Sequence, residues 1–414
     1  MRPDLKGRAL PETTAPLRPG PREFIVLMAL LTSLEAFAID AMLPALPDIG
    51  ADLGAAGNAP QLVIGALFLG AAFGQFVSGA LSDALGRRPA IFIFIALFLA
   101  GSALCMFAES FQGMLAGRVL QGFGAAGPHV VSIAIIRDRY EGRGMARIFS
   151  FVMGIFIMVP VIAPGVGQAI LFLVDWRGIF GVLAAYGVFL TIWFAARQPE
   201  TLKPEARVQL SFQGYWAALR SALRIRSLLI YTGAQGLILG AFIGYLSSSQ
   251  QIFQDTYGQG ALFPLYFGSL AVCIGLSGAV NGVLVMRFGM RRLSSAAFVV
   301  LAAASFLFWL WASAAGGAPP FWATMAWLAV TVFCVGVGFG NLSALALDPL
   351  VDQAGMGATL FGGGSTLIAL PIGALIGLSF DGGVGPLAAG FVVAPFAALL
   401  LMRLDRGPVR AAAD

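Results

Sequence analysis

Residues 60–89, PQLVIGALFLGAAFGQFVSGALSDALGRRP, carry the pattern on which the architecture rests. From Gln61 to Leu81 there is no charged residue, and ~20 such residues in a helix match the ~30 Å hydrocarbon core of a bilayer. Asp83, Arg87 and Arg88 follow within a few residues, and Pro89 then opens a second apolar run. A span, a short charged turn and another span describe a chain that threads a membrane repeatedly.

The rest of the sequence repeats that pattern. Apolar runs fall at roughly 23–46, 59–81, 89–108, 111–136, 147–171, 176–196, 227–252, 261–286, 293–314, 321–347, 357–379 and 386–403, twelve in all. Of 414 residues, 59% are hydrophobic and 11% charged, against ~25% charged in an ordinary soluble domain. So few charges cannot cover the surface of a soluble protein of this size. Long unbroken runs also exclude a transmembrane barrel, whose strands alternate over ~10 residues. The expected fold is an all-α polytopic membrane protein.

The longest polar interruption divides the chain into two halves of six spans. It gives a tail at 1–22, a bundle at 23–196, a linker at 197–226 with an amphipathic segment around Phe212, Tyr215, Trp216 and Leu219, a second bundle at 227–403, and a tail at 404–414. The first tail has no apolar core and does not read as a cleavable signal, so the first span is expected to direct insertion. Twelve spans place 23 of the 25 Lys and Arg residues on one side, leaving Arg177 in a loop on the other and Arg118 inside the fourth span. The positive-inside rule then puts both tails and the linker in the cytoplasm. The net charge of +5 is dispersed along the chain, not gathered into a stripe for nucleic acid. Cys105, Cys273 and Cys334 lie far apart in apolar segments and read as three buried thiols, not a disulfide or metal site. With His129 the single histidine, no HExxH zinc helix can form, and no GxSxG nucleophile elbow is present; no enzyme activity, metal or cofactor is expected.

The halves echo each other. Gly79-Ala-Leu-Ser-Asp-Ala-Leu-Gly-Arg-Arg88 returns 203 residues later as Gly282-Val-Leu-Val-Met-Arg-Phe-Gly-Met-Arg291, with matches at Gly79/Gly282, Leu81/Leu284, Gly86/Gly289 and Arg88/Arg291. The echo follows the second span of each half, the mark of two related bundles with a path between them.

GALSDALGRRP at 79–89 resembles the signature of the loop between spans two and three in the major facilitator superfamily. Further stretches, IDAMLPALPDI (39–49), GRVLQGFGAAGPHVVSIAIIRDRY (117–140), VPVIAPGVGQ (159–168), DWRGIF (175–180) and PETLKPE (199–205), are similar to its Bcr/CflA branch of drug:proton antiporters, closely in the first half and by layout in the second. The resemblance implies twelve helices in two pseudo-symmetric six-helix bundles. It also implies a conformational latch at Gly79, Asp83, Gly86, Arg87, Arg88 and Asp138. The branch's fifth-span GPxxGG motif stands here as Ala163-Pro164-Gly165-Val166-Gly167-Gln168, keeping Pro164 and Gly167 as helix-bending elements beside Gly165. Plain positive-inside anchoring is the other reading of the two latch arginines.

Three ionisable residues fall inside apolar spans: Glu35, Asp40 and Arg118. Such a group costs at least ~2.5–3.5 kcal/mol on insertion scales and therefore faces a cavity or a partner. Helical rise puts Asp40 and Arg118 at matching depth, ~9 and ~10 Å from the same side, so the two could pair. Asp40, Glu35 or both are expected to bind the coupling proton, with an affinity that burial and Arg118 change as access alternates. The resemblance points to Asp40 and Arg118. A permanent structural Asp40–Arg118 pair and a polar cavity-lining role for Glu35 are the competing readings. His129 could join a proton relay or simply pack. Gln61, Gln121, Tyr231, Gln235, Tyr245 and Asn341 are candidates to line a substrate cavity with it.

The expected function is export of small amphiphilic compounds, such as chloramphenicol- or bicyclomycin-like antibiotics, driven by the proton gradient. A narrow-specificity carrier of a nucleobase, sugar or siderophore is the alternative, and a transport-inactive sensor a more distant one. The expected setting is the bacterial inner membrane, with protons, a small molecule and the lipid bilayer as partners. No nucleic acid is expected, and the resemblance implies a monomer.

Overall fold

The computed structural model describes residues 19–208, 211–348 and 354–405; most of both tails lies outside them. The described residues hold fifteen α-helices and no strand. The first half contains α1 (Pro21–Thr32), α2 (Leu34–Asp40), α3 (Leu46–Asp52), α4 (Leu62–Leu85), α5 (Arg87–Met106), α6 (Phe111–Arg139), α7 (Gly142–Leu171) and α8 (Arg177–Arg197). Next comes the linker helix α9 (Phe212–Ala222). The second half holds α10 (Arg226–Gln251), α11 (Phe263–Phe288), α12 (Met290–Ala314), α13 (Phe321–Leu347), α14 (Ala354–Leu378) and α15 (Gly385–Arg403). Eleven helices in the described residues are long and apolar enough to cross a bilayer, and the bent pair Pro21–Thr32 with Leu34–Asp52, counted as one span, brings the number to twelve.

That first span is not the continuous helix its hydropathy suggests. It bends by 47° at Ser33. Thr32 Oγ1 donates to the carbonyls of Met28 and Ala29 at 3.0 and 2.8 Å, and Ser33 Oγ donates to Ala29 at 2.6 Å. Hydroxyls that bond back to the preceding turn compete with the backbone for its acceptors and bend helices. By contrast α7 runs through Pro160 and Pro164 as one helix.

Small residues let the spans approach until backbones touch, as packing without a hydrophobic drive between helices requires. In the first bundle, a methyl group at Gly70 or Gly122 would strike the carbonyl of Val119 or Leu67, so α4 and α6 meet backbone to backbone. Gly101 and Gly124 bring α5 against the other side of α6 in the same way. In the second bundle, Gly236, Gly240 and Gly244 on α10 receive Ile368, Ile372 and Ile376 of α14, one isoleucine per glycine at four-residue spacing. The halves join along two seams, α4 on α14 and α7 on α11. Along the second, Gly268 lies against the Val161 carbonyl and Gly275 against Ile157.

The sequence echo has a structural counterpart. Gly86 and Gly289 sit at the turns after α4 and α11 with φ of 108° and 79°, a region that residues with a Cβ avoid. Arg88 then donates to the carbonyls of Ala195 and Gln198 at the end of α8, at 2.9 and 3.0 Å. Its counterpart Arg291 donates to Met402 and Asp405 at the end of α15, at 2.9 and 2.6 Å. In each bundle this arginine caps the carbonyl end of the last helix, where the helix dipole favours a cation.

Substituting Gly70→Val should cost ~1–3 kcal/mol or more through overpacking, read as a lower thermal denaturation temperature in detergent. Gly65→Ala on the same helix, where a methyl meets nothing within 4 Å, should leave that temperature unchanged.

Candidate functional site

The bend at Ser33 sets the scene for the charged residues of the first span. His129 on α6 places Nδ1 3.2 Å from the Thr32 carbonyl; a carbonyl only accepts, so this nitrogen carries the hydrogen. Beside it Glu35 lies within electrostatic range of His129, and both side chains are half-buried. Phe37 and Tyr186 meet edge to face at 5.4 Å nearby, with Tyr186 donating its hydroxyl to the Leu30 carbonyl at 2.8 Å.

Asp40, at the end of α2, is 4% exposed. The pairing with Arg118 that matching depth allowed is not made among the described residues. Arg118 is fully buried and donates from Nη1 and Nη2 to the Ala38 carbonyl at 3.2 Å, from Nε to the Val63 carbonyl at 3.3 Å, and from Nη1 to Gln121 Oε1 at 2.6 Å. The guanidinium thus reaches the backbone of α2 two residues short of Asp40 and ties α6 to α2 and α4. Depth along a helix was legible, but the angular position that sends Arg118 to a carbonyl was not. Among the described residues Asp40 has no hydrogen-bond or ion-pair partner. Facing it electrostatically across the halves is Tyr245 of α10, which is buried, stacked on Phe267 at 5.8 Å, and without a partner for its own hydroxyl. The short turn Leu43–Ala45, which begins three residues after Asp40, packs against α10.

Several cavity candidates lie elsewhere. Gln121 is wholly buried and donates to Ser102 at 2.8 Å, so it locks α6 to α5. Tyr231 donates to Asp405 at 2.8 Å and so binds the end of α15. Asn341 exchanges two hydrogen bonds with Asn281, at 2.8 and 3.1 Å, between α13 and α11. Gln235 remains a candidate, buried with an unpartnered Oε1, and Thr232 three residues before it also leaves its hydroxyl unpartnered. Cys273 is half-buried, whereas Cys105 and Cys334 are buried.

Gln61 belongs to a clasp of carboxamides at the end away from the arginines. Its Nε2 donates to Gln251 Oε1, and Gln251 Nε2 donates to Asn58 Oδ1 at 3.0 Å. Asn58 in turn donates to the carbonyls of Leu378 and Phe380 at 3.0 and 2.8 Å. The clasp joins the loop before α4 to α10 and to the end of α14, holding the two halves together there. At that same end Arg177, the first residue of α8, pairs with Asp52 at 2.8 Å.

At the arginine-rich end, Arg87 holds Asp83 at 2.5 Å and Asp138 at 3.0 Å, joining α4, α5 and α6. Gly79 faces Thr359 of α14, and Gly86 makes the turn. Arg88 serves the end of α8 as described and forms no ion pair among the described residues. Sequence reasoning missed the linker's part. Glu200 accepts from the backbone N–H of Arg87 and of Arg88, both at 3.0 Å, capping the first turn of α5, where a carboxylate suits the helix dipole. Thr201 donates to Asp138 at 2.7 Å. No local spacing announces these contacts, because the partners are more than a hundred residues apart or join through the fold. In α7, Gly167 abuts the Ala41 carbonyl next to Asp40, while Gly165 faces Pro264 of α11 and Pro164 lies inside the helix. Among the described residues no group of three or more His, Cys, Asp and Glu side chains could hold a metal ion.

Comparison with known proteins places these features. A sequence model of the Major Facilitator Superfamily matches residues 28–355. The chain is 36% identical over 265 residues to an uncharacterized MFS-type transporter, YdgK, of Bacillus subtilis, covering 64% of this chain and 65% of that protein. Multidrug resistance proteins MdtL of Vibrio parahaemolyticus and Klebsiella pneumoniae are 25% and 28% identical. They cover 82% and 86% of this chain and 84% and 89% of their own lengths. Among solved structures, the fold matches the xylose transporter XylE of E. coli in a partially occluded inward open conformation, with a TM-score of 0.71 and 13% identity over 95% of this chain and 99% of that one. The human organic anion transporter MFSD10 matches with a TM-score of 0.61 and 20% identity, over 93% of this chain and all of that one.

The carboxamide clasp yields a direct expectation. Asn58→Ala removes its bonds to the end of α14 and should raise the reaction rate of a Ser247→Cys probe, buried on α10 against Gly377 of α14 beside Gln61, with an impermeant maleimide about tenfold, the effect of losing ~1.4 kcal/mol.

Proposed function

Since the chain belongs to the Major Facilitator Superfamily and is a transporter, not an enzyme, we propose that it exports small amphiphilic compounds in exchange for protons. The compounds would be of the size and polarity of chloramphenicol or bicyclomycin. The observation that carries this reading is the Asp40 carboxyl, buried at the junction of the halves with no partner in this arrangement. A lone carboxylate there costs at least ~2.5–3.5 kcal/mol, a cost that proton binding removes. With its proton, Asp40 sits comfortably in the closed junction beside Tyr245. Without it, the carboxylate favours a state in which the junction opens to water or in which Arg118, already bonded to the neighbouring Ala38 carbonyl, turns toward it. Binding and release of a proton would thereby favour opposite ends of the alternating-access cycle.

Glu35 and His129 form a second proton-accepting pair in this reading, deeper in the first bundle. The substrate would lie between aromatic side chains from the two halves, Phe37 and Tyr186 on one side and Phe242, Tyr245 and Phe339 on the other. Two unpartnered polar atoms of α10, the Gln235 Oε1 and the Tyr245 hydroxyl, would be available to the substrate for hydrogen bonds. An apolar pocket with a small number of free hydrogen-bonding groups suits compounds that share shape and amphiphilicity rather than one functional-group pattern. The MdtL relatives, named for multidrug resistance, support the same direction. The latch of Asp83, Arg87 and Asp138 would hold the first bundle rigid as it rocks. The energy source would be the proton gradient, with no cofactor, and the protein would act as a monomer in a bacterial inner membrane with both tails and the linker cytoplasmic.

Reconstituted vesicles test this. An imposed pH gradient should drive transport of several members of a diverse amphiphile panel. Asp40→Asn should abolish the gradient-driven component at least tenfold while substrate exchange without a gradient persists. Full gradient-driven transport by that variant would remove Asp40 from the mechanism, and movement of a single metabolite alone would replace drug export with a narrow carrier.

A further inference from the structure

The second bundle differs from the first in one respect that its repeat relationship makes visible. In the first bundle α4 and α5 both close tightly on α6 through glycines. In the second, α11 and α12 each pack on α13 but scarcely on one another. They diverge from the Gly289 turn and leave a wedge with α13 as its floor. The resulting groove has a volume of about 480 Å³ and is walled by apolar side chains, among them Cys273, Val280 and Leu284 on α11, Ala296 and Val300 on α12, and Phe333 on α13. Asn281, the polar residue on its wall, is satisfied by its reciprocal bonds with Asn341. From Leu284 to Cys273 the groove runs eleven residues, about 17 Å at helical rise, close to the depth of one leaflet of a ~30 Å hydrocarbon core.

Charge sits at one end of this groove. Val280, Leu284 and Arg287 follow one another at four- and three-residue spacing, which keeps them on one stripe of α11, and Arg292 precedes Ala296 by four on α12. Both arginines are exposed. Arg287 lies 5.3 Å from the Phe288 ring, and among the described residues neither arginine has an ion-pair partner. The repeat explains why. The turn after α4 carries Asp83 and Arg87, which neutralise each other. The 203-residue shift puts Met286 and Met290 at those positions, and puts Arg287 and Arg292 where the first half has Ala84 and Pro89. Asp348, at the same end of α13, forms no ion pair with them. Among the described residues, therefore, two guanidinium groups without an ion-pair partner stand at the mouth of an apolar groove one leaflet deep.

We propose that this wedge binds an anionic glycerophospholipid, one acyl chain lying along α13 between α11 and α12 and the phosphate held by Arg287 and Arg292. Basic groups at the rim of a pocket between spans are the usual means of recognising such headgroups, and guanidinium groups suit phosphate oxygens. The ligand would fix the angle between α11 and α12. Since α11 forms the seam with α7, an occupied wedge would stiffen the second bundle where the halves rub.

The experiment is a lipid titration of the purified full-length protein in neutral detergent, followed by native mass spectrometry and thermal denaturation. The probes are phosphatidylglycerol, cardiolipin and, as the uncharged comparison, phosphatidylcholine. The anionic lipids should be retained and raise the denaturation temperature, while phosphatidylcholine should do neither. Arg287→Gln with Arg292→Gln should weaken retention by roughly an order of magnitude, given the contribution of each basic residue near an anionic headgroup. Both positions are exposed, so folding should survive. Ala297→Phe, which fills the groove from its α12 wall and leaves the arginines in place, should weaken it as well. Equal retention of phosphatidylcholine, or unchanged retention in either variant, would overturn the proposal. Retention lost only on filling the groove would mean an apolar occupant without headgroup recognition, and would also overturn it.

Discussion

A polar group in hydrocarbon must be paired, bonded or neutral, and the arrangement of this molecule follows from how each of its few such groups meets that demand. Arg118 stays buried because carbonyl oxygens of α2 and α4 and the Gln121 amide accept its hydrogens, with no carboxylate among them. Asn281 and Asn341 satisfy each other. The hydroxyls of Thr32 and Ser33 turn back on their own helix and bend it. Among the described residues Asp40, buried at the end of α2, meets that demand through no hydrogen-bond or ion-pair partner, and that exception is the ground of the role proposed for it.

Close packing is the second consequence of a solvent that does not squeeze helices together. Glycine ladders bring α4 and α5 onto α6, and α10 onto α14, until carbonyls and side-chain branches fill the space a methyl would need. These contacts make each bundle rigid. At a seam between the bundles, Gly268 and Gly275 on α11 likewise meet Val161 and Ile157 of α7. Uncharged amides close one end of the junction, and the charged cluster at the other end stays within the first bundle and its linker.

The two halves have kept the parts of their common plan that serve the backbone and dropped parts that serve charge. Gly86 and Gly289 still make the same turn, and Arg88 and Arg291 still cap the last helix of their bundles. The acid and arginine that form the latch in the first half have become methionines in the second.

Hydropathy was enough to read the membrane spans, because crossing a bilayer demands long uncharged runs whatever the packing, and the echo of Gly86 and Arg88 in Gly289 and Arg291 was enough to read the repeated turn. The motif at 79–89 likewise singled out Asp83 and Arg87 through its resemblance to a known signature, whereas their pairing across the Gly86 turn, from α4 to α5, came from the packed structure. Asp40 stood out as costly because it is an ionisable group inside an apolar span. What no local pattern held was direction across helices: that Arg118 bonds a carbonyl and not Asp40, that Tyr231 serves the end of α15, that Glu200 caps α5, that Gln61 and Gln251 clasp the halves. Those choices depend on the rotation and separation of helices remote in the chain, which only the packed structure decides.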